Sequence, residues 1–444
     1  MKIVTTNPGR KLEMNPIERI GSKDVHAPLV ELSGERDQEI LGFGAALTDS
    51  ACGLLNRLDP LVRDDLLEEI FSPQAGNFSI SRICVGASDY ADKEYHFAPV
   101  ADDLEMKHFD ASHDDETIIP ILQKVKAINP DLFLFSSPWS PPGWMKSSHQ
   151  MQGGWMLDKY IDAYALYYYK FIKYYMERGI SLNALTAQNE SETDQQSKMP
   201  ACYWHPEQEM RFAQKIRSLL DADNLENIKI WLMDHNFIMW HRAAFQMDDE
   251  MIRKACAGIA WHPYEGYPEQ ISIFRKQHPE SENHWTEGGI IPEIVKRPEP
   301  RYGNRNQPMY AAYGQSFIAG LENGCQSITV WNLALDEEGY PNIGPFDCRG
   351  TLEISRDGRT VTRSEEYDTL LHLTKYVRRG AKRIISDQTA LPAAMHLSAF
   401  ENTDGQVAIL LSNRENFDSK ICLKIGDDYY QIPVQRESIN TILI

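Results

Sequence analysis

Two glutamates, Glu190 and Glu287, each end a short apolar run and have the side-chain type for a pair of catalytic carboxylates. Glu190 follows Asn189, and Glu287 stands between Thr286 and two glycines. Cleavage of a glycosidic bond needs such a pair: one carboxyl protonates the leaving oxygen, and the other stays ionised to attack the anomeric carbon. If configuration is retained, the two carboxyl groups lie about 5 to 5.5 Å apart. Surface loops are also rich in glutamate, so these two residues alone leave both interpretations open.

Eight short runs with one pattern lie between residues 41 and 336. In each, apolar residues end in polar or small ones, and a helix-length segment follows most of them. The runs are residues 41–49, 78–89, 132–139, 182–190, 228–235, 258–264, 283–287 and 327–336. Eight strands of this kind predict a closed parallel (β/α)8 barrel, the TIM barrel of the α/β class. Catalytic groups in such barrels lie at the carboxyl ends of the strands, where both glutamates stand.

Acidic and aromatic residues are common at the ends of these predicted strands. They include Asp49, Asp89, Trp139, Tyr264, Trp331 and Asp336. Carboxylates bind hydroxyl groups, and flat rings cover the apolar faces of sugars, so this mixture favours a carbohydrate substrate. Asp89 fits equally well as a substrate contact or as the cap of a turn.

A tyrosine-rich segment, residues 160–175, repeats aromatic side chains at intervals of three and four before Gly179. This spacing predicts a barrel helix that packs on the strands, in preference to a sugar-stacking surface.

The end of the chain has a different pattern. After a helix ending near Gly380, short alternating strands are predicted at residues 395–401, 407–413, 420–425, 431–434 and 440–444. We therefore predict three segments: a catalytic barrel over residues 41–380, a small β-sandwich side domain over residues 381–444, and an N-terminal segment, residues 1–40, that lends a strand or two to the side domain.

Composition limits the partners of the protein. The formal net charge of -19, from 45 Lys and Arg against 64 Asp and Glu, disfavours nucleic acid and anionic lipid headgroups. The sequence has no evident secretion signal or membrane span, and its seven scattered cysteines lack a C-x-x-C pair. A reduced, cytoplasmic protein is expected, although a processed secreted form would look the same.

Four motifs in order resemble glycoside hydrolase family 30, the family that includes lysosomal glucosylceramidase. Residues 42–49 (GFGAALTD) are similar to its first-strand motif, with Ala45 in place of a glycine. Residues 82–90 (RICVGASDY) and 137–146 (SPWSPPGWMK) resemble its next motifs, and residues 331–335 (WNLAL) resemble its last-strand motif. The resemblance implies a β-glycosidase on a TIM barrel that acts with retention of configuration and needs no cofactor.

The resemblance also implies a role for individual residues. Glu190 would be the acid/base and Glu287 the nucleophile. Partners implied for the substrate or the carboxylates are Asp49, Arg82, Trp139, Asn189, His262, Tyr264 and Trp331. A positive neighbour such as Arg82 would keep Glu287 ionised, and partial burial would raise the pKa of Glu190. For Arg82 the alternative is an ion pair inside the barrel, and for both tryptophans it is core packing.

The loop after Glu190 departs from the family pattern. Ser191 stands where a proline commonly follows the acid/base, and residues 191–196 (SETDQQ) are more polar than a lipid-facing rim requires. Hydrolysis of terminal β-glucosides is the first expectation. A β-xylosidase, a β-fucosidase or a β-1,6-glucanase would use the same machinery, and a non-catalytic carbohydrate-binding barrel is a more remote alternative.

Other chemistries lack their motifs. The chain has no H-E-x-x-H motif, no tight His and Cys cluster and no G-x-S-x-G turn, so neither a catalytic metal nor a serine nucleophile is expected.

Overall fold

The computed structural model describes residues 1–289 and 309–444. The N-terminal segment forms four strands: β1 (Lys2–Asn7), β2 (Arg10–Pro16), β3 (Glu18–Ile20) and β4 (Leu29–Glu39). β1 pairs with β2 in an antiparallel hairpin, whereas β3 and β4 pair with strands from the end of the chain.

Eight parallel strands then close into a barrel. They are β5 (Gly42–Ala46), β6 (Ile80–Cys84), β7 (Phe133–Ser137), β8 (Ala184–Thr186), β9 (Lys229–Asn236), β10 (Gly258–His262), β11 (Glu282–Trp285) and β12 (Ser327–Val330). β12 pairs with β5 and completes the ring. Each strand overlaps one of the eight predicted runs, so the predicted TIM barrel is confirmed.

The barrel strands read as apolar runs because both of their faces are covered. All five residues of β5, β6, β7 and β10 are buried. Strand packing is close enough to require glycine at Gly44, where a Cβ atom would lie 1.9 Å from the carbonyl oxygen of Ile80. Because the strands pack so closely, the backbone at each strand end is fixed, and so is the position of the side chain that follows it.

Helices surround the barrel. They are α1 (Asp49–Arg57), α2 (Pro60–Phe71), α3 (Ser112–Glu116), α4 (Ile118–Ile128), α5 (Ile161–Met176), α6 (Pro206–Ala222), α7 (Trp240–Met247), α8 (Glu250–Ala255), α9 (Glu269–Gln277) and α10 (Tyr310–Glu322). Among the described residues, none of the helices has both the length and the apolar composition needed to cross a membrane.

The tyrosine-rich segment is α5, and it packs on the barrel as predicted. Tyr164 and Tyr168 are fully buried and contact the ring of Phe212 on α6. The hydroxyl of Tyr168 donates a 2.9 Å hydrogen bond to the carbonyl of Ser136 on β7, so the ring is buried without leaving its polar atom unpaired.

Further elements follow the barrel. They are β13 (Ala334–Leu335), β14 (Leu352–Ile354), β15 (Val361–Arg363), α11 (Glu365–Tyr376), β16 (Lys382–Asp387), β17 (Met395–Glu401), β18 (Val407–Asn413), β19 (Ser419–Ile425), β20 (Asp428–Val434) and β21 (Ser438–Leu443). β13, β14 and β15 form a small separate sheet.

The remaining strands of both chain ends form one ten-stranded sheet in the order β2-β1-β21-β18-β17-β16-β4-β19-β20-β3. Its inward side chains build a second apolar core apart from the barrel, which includes Ile3, Val30, Leu397, Leu411, Leu423 and Ile442. This is the predicted β-sandwich, formed by the C-terminal tail together with the N-terminal segment. The N-terminal segment contributes four strands, more than the one or two predicted.

β16 has no counterpart in the sequence prediction. Only Ile384 of its six residues is buried, so the strand lacks the apolar alternation that marked its neighbours. All seven cysteines are buried, and none of them forms a disulfide bond with another.

Candidate active site

A cavity of about 260 Å³ opens at the carboxyl ends of the barrel strands. Six of the nine predicted site residues line it: Trp139, Asn189, Glu190, Tyr264, Glu287 and Trp331. Arg82 and His262 are fully buried next to the cavity, where both contact its carboxylates. The structure thus brings eight of the predicted residues together.

The two glutamates line this cavity from strands that are three places apart in the barrel. Glu190 follows β8, and Glu287 lies two residues after β11. Their side chains are 12% and 7% exposed. A carboxyl oxygen of one lies within 4.8 Å of a carboxyl oxygen of the other. The backbone N–H of Glu190 donates to the carbonyl of Asp234 at 2.9 Å, which fixes the residue in a left-handed conformation with a φ of 49°.

Both oxygens of Glu287 accept hydrogen bonds. Nη1 of Arg82 donates to Oε2 at 2.7 Å, and the hydroxyl of Tyr264 donates to Oε1 at 2.9 Å. Arg82 is on β6 and Tyr264 follows β10, so two different strands hold this carboxylate in one orientation. A carboxylate fixed in this way is well prepared to attack a bound carbon atom.

His262, the last residue of β10, lies between the two glutamates. Its Nδ1 is 3.4 Å from Oε1 of Glu190 and 3.9 Å from Oε1 of Glu287. Its Nε2 is 3.1 Å from Oδ1 of Asp234. Burial lowers the pKa of His262, but the charge of Glu287 and the hydrogen bonds to Asp234 and Glu190 outweigh burial and raise this pKa to about 9. This raised pKa favours the positively charged form of the imidazole at neutral pH.

Asp234 is the hub of the buried network, and the sequence prediction missed it. Its Oδ2 accepts from Arg82 at 2.7 Å and from Thr186 at 2.7 Å, and Ser137 donates to the same oxygen. Its Oδ1 accepts from Thr286 at 2.7 Å and contacts His262. With so many donors, the pKa of Asp234 is held well below its usual range despite burial.

A bulge in β9 explains how Asp234 reaches this position. Met233 lies opposite Ala260 and His235 lies opposite Trp261, so Asp234 is an extra residue in the ladder. Met233 and Asp234 both have positive φ, 73° and 49°. Such strain is costly for residues other than glycine and clusters at functional sites. Asp234 was within reach of sequence analysis as the polar end of an apolar run, but the bulge depends on tertiary pairing.

The pKa order of the two glutamates differs from the sequence prediction. Burial pushes the pKa of Glu190 upward, but the hydrogen bond from His262, the nearby histidine charges and the hydrogen bond from Gln195 together lower this pKa. Burial and the charge of Glu190 raise the pKa of Glu287, against the opposing charges of His262 and Arg82. The prediction of a raised pKa for Glu190 is therefore wrong, because it did not take into account the imidazolium beside that carboxyl.

Aromatic rings and an amide form another part of the wall. Trp139 and Trp331 stack with their centroids 4.7 Å apart, and the guanidinium of Arg82 lies 4.6 Å from the ring of Trp139. Asn189 accepts a 2.9 Å hydrogen bond from Nη2 of Arg82 through its Oδ1. Since Trp139 and Trp331 both line the cavity, they combine packing with an accessible ring edge or face, which suits a sugar.

Asp89 also lines the cavity and is 4% exposed. Its Oδ1 has no hydrogen-bond partner among the described residues. Burial and the charges of Glu287 and Glu190 raise the pKa of Asp89 well above its usual range. The place of Asp89 on the cavity wall and its unpaired Oδ1 favour substrate contact. Hydrogen bonds from the backbone of Asp89 and Tyr90 lower the same pKa and fit the cap of a turn.

The polar loop after Glu190 lies on the cavity rim, where Glu192, Thr193 and Gln195 line the wall. Gln195 donates a hydrogen bond to Oε2 of Glu190. Ser191 is fully buried, and its hydroxyl donates to the carbonyl of Met233 at 3.2 Å. The serine in place of the family's proline therefore connects this loop to the bulged strand.

Asp49 is the one predicted site residue that neither lines the cavity nor contacts its two glutamates. It begins α1, with Thr48 as the N-cap, and is 3% exposed. Its Oδ1 lies 2.8 Å from Nε2 of His113, and its Oδ2 accepts the backbone N–H of Asp92. Both oxygens are thus engaged within the protein, and the predicted sugar contact has no support in this position.

Glu190, His262 and Glu287 are also side chains of the types that bind metal ions, and their ligand atoms lie within 4.8 Å of one another. The raised pKa of His262 favours the protonated ring, which does not bind a metal ion through Nδ1. Two carboxyls carry out glycosidic cleavage without help from a metal.

Comparison with known proteins agrees with the geometry. The glycosyl hydrolase family 30 TIM-barrel domain matches residues 40–346, and the beta sandwich domain of the same family matches residues 380–442. Lysosomal acid glucosylceramidase of Mus musculus is 25% identical over 95% of this chain and 84% of its own. Endo-1,6-beta-D-glucanase of Neurospora crassa is 27% identical over 78% of this chain and 72% of its own.

Among solved structures, an endo-β1,6-glucanase superposes with a TM-score of 0.87 and 28% identity, covering 99% of this chain and 98% of its own. The family match spans both the barrel that holds the two glutamates and the accompanying sandwich. The chain therefore belongs to glycosyl hydrolase family 30, and it is a β-glycosidase.

Proposed function

We propose that this protein hydrolyses terminal β-glucosides with retention of configuration, with Glu287 as nucleophile and Glu190 as acid/base. The observation that carries the proposal is the separation of the two carboxyls, whose oxygens lie within 4.8 Å of each other. Enzymes that retain configuration have carboxyl groups about 5 to 5.5 Å apart, whereas inverting enzymes leave about 6.5 to 9.5 Å for a water molecule.

The contacts support this division of roles. Glu287 accepts from Arg82 and Tyr264 on its two oxygens. These hydrogen bonds favour the carboxylate that must attack, against burial and the charge of Glu190, which raise its pKa. A bond forms between Glu287 and the anomeric carbon while the bond to the leaving oxygen breaks, and Glu190 gives that oxygen a proton. Glu190 then takes a proton from water, which attacks the same carbon and releases the sugar from Glu287.

The acidic proton comes from a pair of groups. The lowered pKa of Glu190 and the raised pKa of His262 place the proton on His262, 3.4 Å from Oε1 of Glu190. Transfer over this hydrogen bond leaves a neutral imidazole and a protonated Glu190. We propose that His262 acts as a positioning residue that holds the proton until Glu190 passes it to the leaving oxygen.

A sugar at this site would meet Trp139, Trp331 and the carboxyl of Asp89. The rings would cover its apolar face, and the carboxyl of Asp89 would hydrogen-bond to its hydroxyls. Glucose is the sugar that the names of both relatives, a glucosylceramidase and a 1,6-β-D-glucanase, have in common. β-Xylosidase, β-fucosidase and β-1,6-glucanase activities use the same pair of carboxyls and are the alternatives.

A panel of aryl β-glycosides tests the sugar, and NMR of the first product tests the stereochemistry. We expect the β-glucoside to be the best substrate and the first sugar released to be the β anomer. Release of the α anomer would contradict the proposed roles. A higher kcat/KM for the β-xyloside or the β-fucoside than for the β-glucoside would mean that xylose or fucose, not glucose, is the preferred sugar.

A further inference from the structure

Two polar side chains of the cavity wall near Glu190 each have one buried polar atom without a hydrogen bond. His235 and Asn236 both line the cavity and are 5% and 6% exposed. Nδ1 of His235 and Oδ1 of Asn236 form no hydrogen bond with any described residue. A buried polar atom without a partner is costly, so native proteins rarely keep one unless a ligand or water completes it.

The bulge at Asp234 determines the position of these two residues. Because Asp234 is the extra residue of β9, His235 lies opposite Trp261 and Asn236 lies opposite His262. Without the extra residue each side chain would shift by one place in the ladder and turn to the other face of the strand. The strained backbone that supplies Asp234 to Arg82 therefore also brings His235 and Asn236 to the cavity.

Neighbouring charges do not occupy these atoms. Arg242, a buried cation on the following helix that acts on His235, pairs with Glu192 at 2.9 Å and with Glu209 at 2.8 Å. Burial lowers the pKa of His235 to about 4, so its ring is neutral at neutral pH. A neutral imidazole both donates and accepts a hydrogen bond, and so does a carboxamide. Hydroxyl groups are the natural partners of both.

The place of these residues identifies which part of a substrate they meet. Glu190 hydrogen-bonds to the backbone of Asp234, the residue before His235, and the acid that protonates the leaving oxygen must lie beside the leaving group. The polar residues Glu192, Thr193 and Gln195 line the same rim. A hydrocarbon chain placed here would bury all these polar groups without hydrogen bonds.

We infer that His235 and Asn236 form a leaving-group subsite that selects a saccharide, through its hydroxyls, over an alkyl or lipid leaving group. This inference rests on the proposed function, because it takes Glu190 as the acid. It narrows the substrate class from β-glucosides in general to β-linked glucosides of a second sugar.

The test compares two substrates that both need the acid but differ in hydroxyl groups on the leaving group. These are gentiobiose, a β-1,6-linked disaccharide of glucose, and octyl β-glucoside. The readout is the ratio of kcat/KM for gentiobiose to kcat/KM for octyl glucoside. The variants are His235→Leu, Asn236→Leu and the conservative His235→Gln, with His241→Leu on the exposed face of α7 as the matched control.

We expect the wild-type protein to prefer gentiobiose, and each leucine variant to lower the ratio by about tenfold or more, the size of one hydrogen bond to a substrate hydroxyl. His235→Gln is expected to keep most of the preference, and His241→Leu all of it. A wild-type preference for octyl glucoside, or leucine variants that leave the ratio unchanged, would overturn the inference but not the proposed function. A protein inactive on both substrates would overturn both.

A second measurement uses the wild-type protein alone, in case the leucine variants do not fold. With 2,4-dinitrophenyl β-glucoside as donor, the glucosyl group on the enzyme can pass to an added acceptor in place of water. Methyl β-glucoside is expected to yield transfer product at a concentration at which butanol yields at least about tenfold less. Equal or preferred transfer to butanol would contradict a hydroxyl-binding subsite.

Discussion

Nδ1 of His262 lies 3.4 Å from Oε1 of Glu190, and this contact reverses the pKa order expected from burial alone. Burial normally favours the protonated form of a glutamate, but here the neighbouring imidazolium favours the ionised form of Glu190. The same ring is fixed from its other side by Asp234, which also anchors Arg82. The acid side and the nucleophile side of the site are therefore joined through one buried aspartate.

The first prediction concerns Glu190→Gln. Loss of the acid should lower kcat/KM for octyl β-glucoside by about 10² to 10⁴-fold, whereas 2,4-dinitrophenyl β-glucoside, whose leaving group needs no proton, should keep its rate of glycosylation. Steady-state and burst kinetics on both substrates measure the difference. Glu177→Gln, an exposed glutamate after α5, is the matched control. An equal loss of kcat/KM on both substrates would contradict the assignment of Glu190 as the acid.

The second prediction is a pH profile. His262 is protonated below its pKa of about 9 and loses its proton as pH rises through that value. For substrates that need an acid, kcat/KM should therefore fall on the alkaline side near pH 9. In His262→Gln this limb should move to lower pH, with a loss of about tenfold or more at neutral pH.

His284→Gln is the matched control for that profile. It replaces another buried barrel histidine, which contacts Ser327 and Glu282 and lies away from the cavity wall. Its alkaline limb should stay in place. A His262→Gln profile identical to the wild-type profile would contradict the role of His262 in holding the proton.

The third prediction concerns Tyr264→Phe. The hydroxyl of Tyr264 donates one of the hydrogen bonds that orient Glu287. Its removal should lower kcat/KM about tenfold for activated and unactivated glucosides alike, because both need the nucleophile. Tyr267→Phe, on an exposed ring of the same loop, should leave kcat/KM unchanged. A loss of kcat/KM confined to unactivated substrates would show that Tyr264 supports the acid Glu190 instead of the nucleophile.

The fourth prediction concerns stability. Asp234→Asn removes the charge that faces the fully buried Arg82 at 2.7 Å, and breaking such a pair costs about 3 to 5 kcal/mol of unfolding free energy. Asp162→Asn, which removes an exposed partner of Lys215, should cost less than about 1 kcal/mol. Urea unfolding of both variants measures the difference. Equal stabilities would show that the buried network contributes little to the fold.

Much of the fold is predictable from the sequence because barrel strands, covered on both faces, appear as compact apolar runs. The same reasoning fails for β16, which buries only Ile384, and for the short strands β13 and β14. It also underestimates the number of strands in the N-terminal segment, because partly exposed strands such as β2 have little alternation of apolar and polar residues.

The site shows the same limit at the level of residues. Residues at strand ends, such as Glu287 and Trp331, were found because their positions follow from the barrel. Asp234, His235 and Asn236 were missed because a bulge between β9 and β10 sets their directions, and bulges depend on pairing between strands. Asp49 shows the opposite case: it stands after a strand as a site residue would, but His113 engages it.

The central claim is that Glu287 becomes bonded to the sugar. Incubation with 2,4-dinitrophenyl 2-deoxy-2-fluoro-β-glucoside, followed by proteolysis and mass spectrometry, tests it most directly, because the fluorine slows the release of the sugar from the enzyme. We expect one fluoroglucosyl group per protein, on the peptide and side chain of Glu287, with activity lost in step with labelling. A label on Glu190, or turnover without any label together with an α-configured first product from the unmodified substrate, would contradict the account.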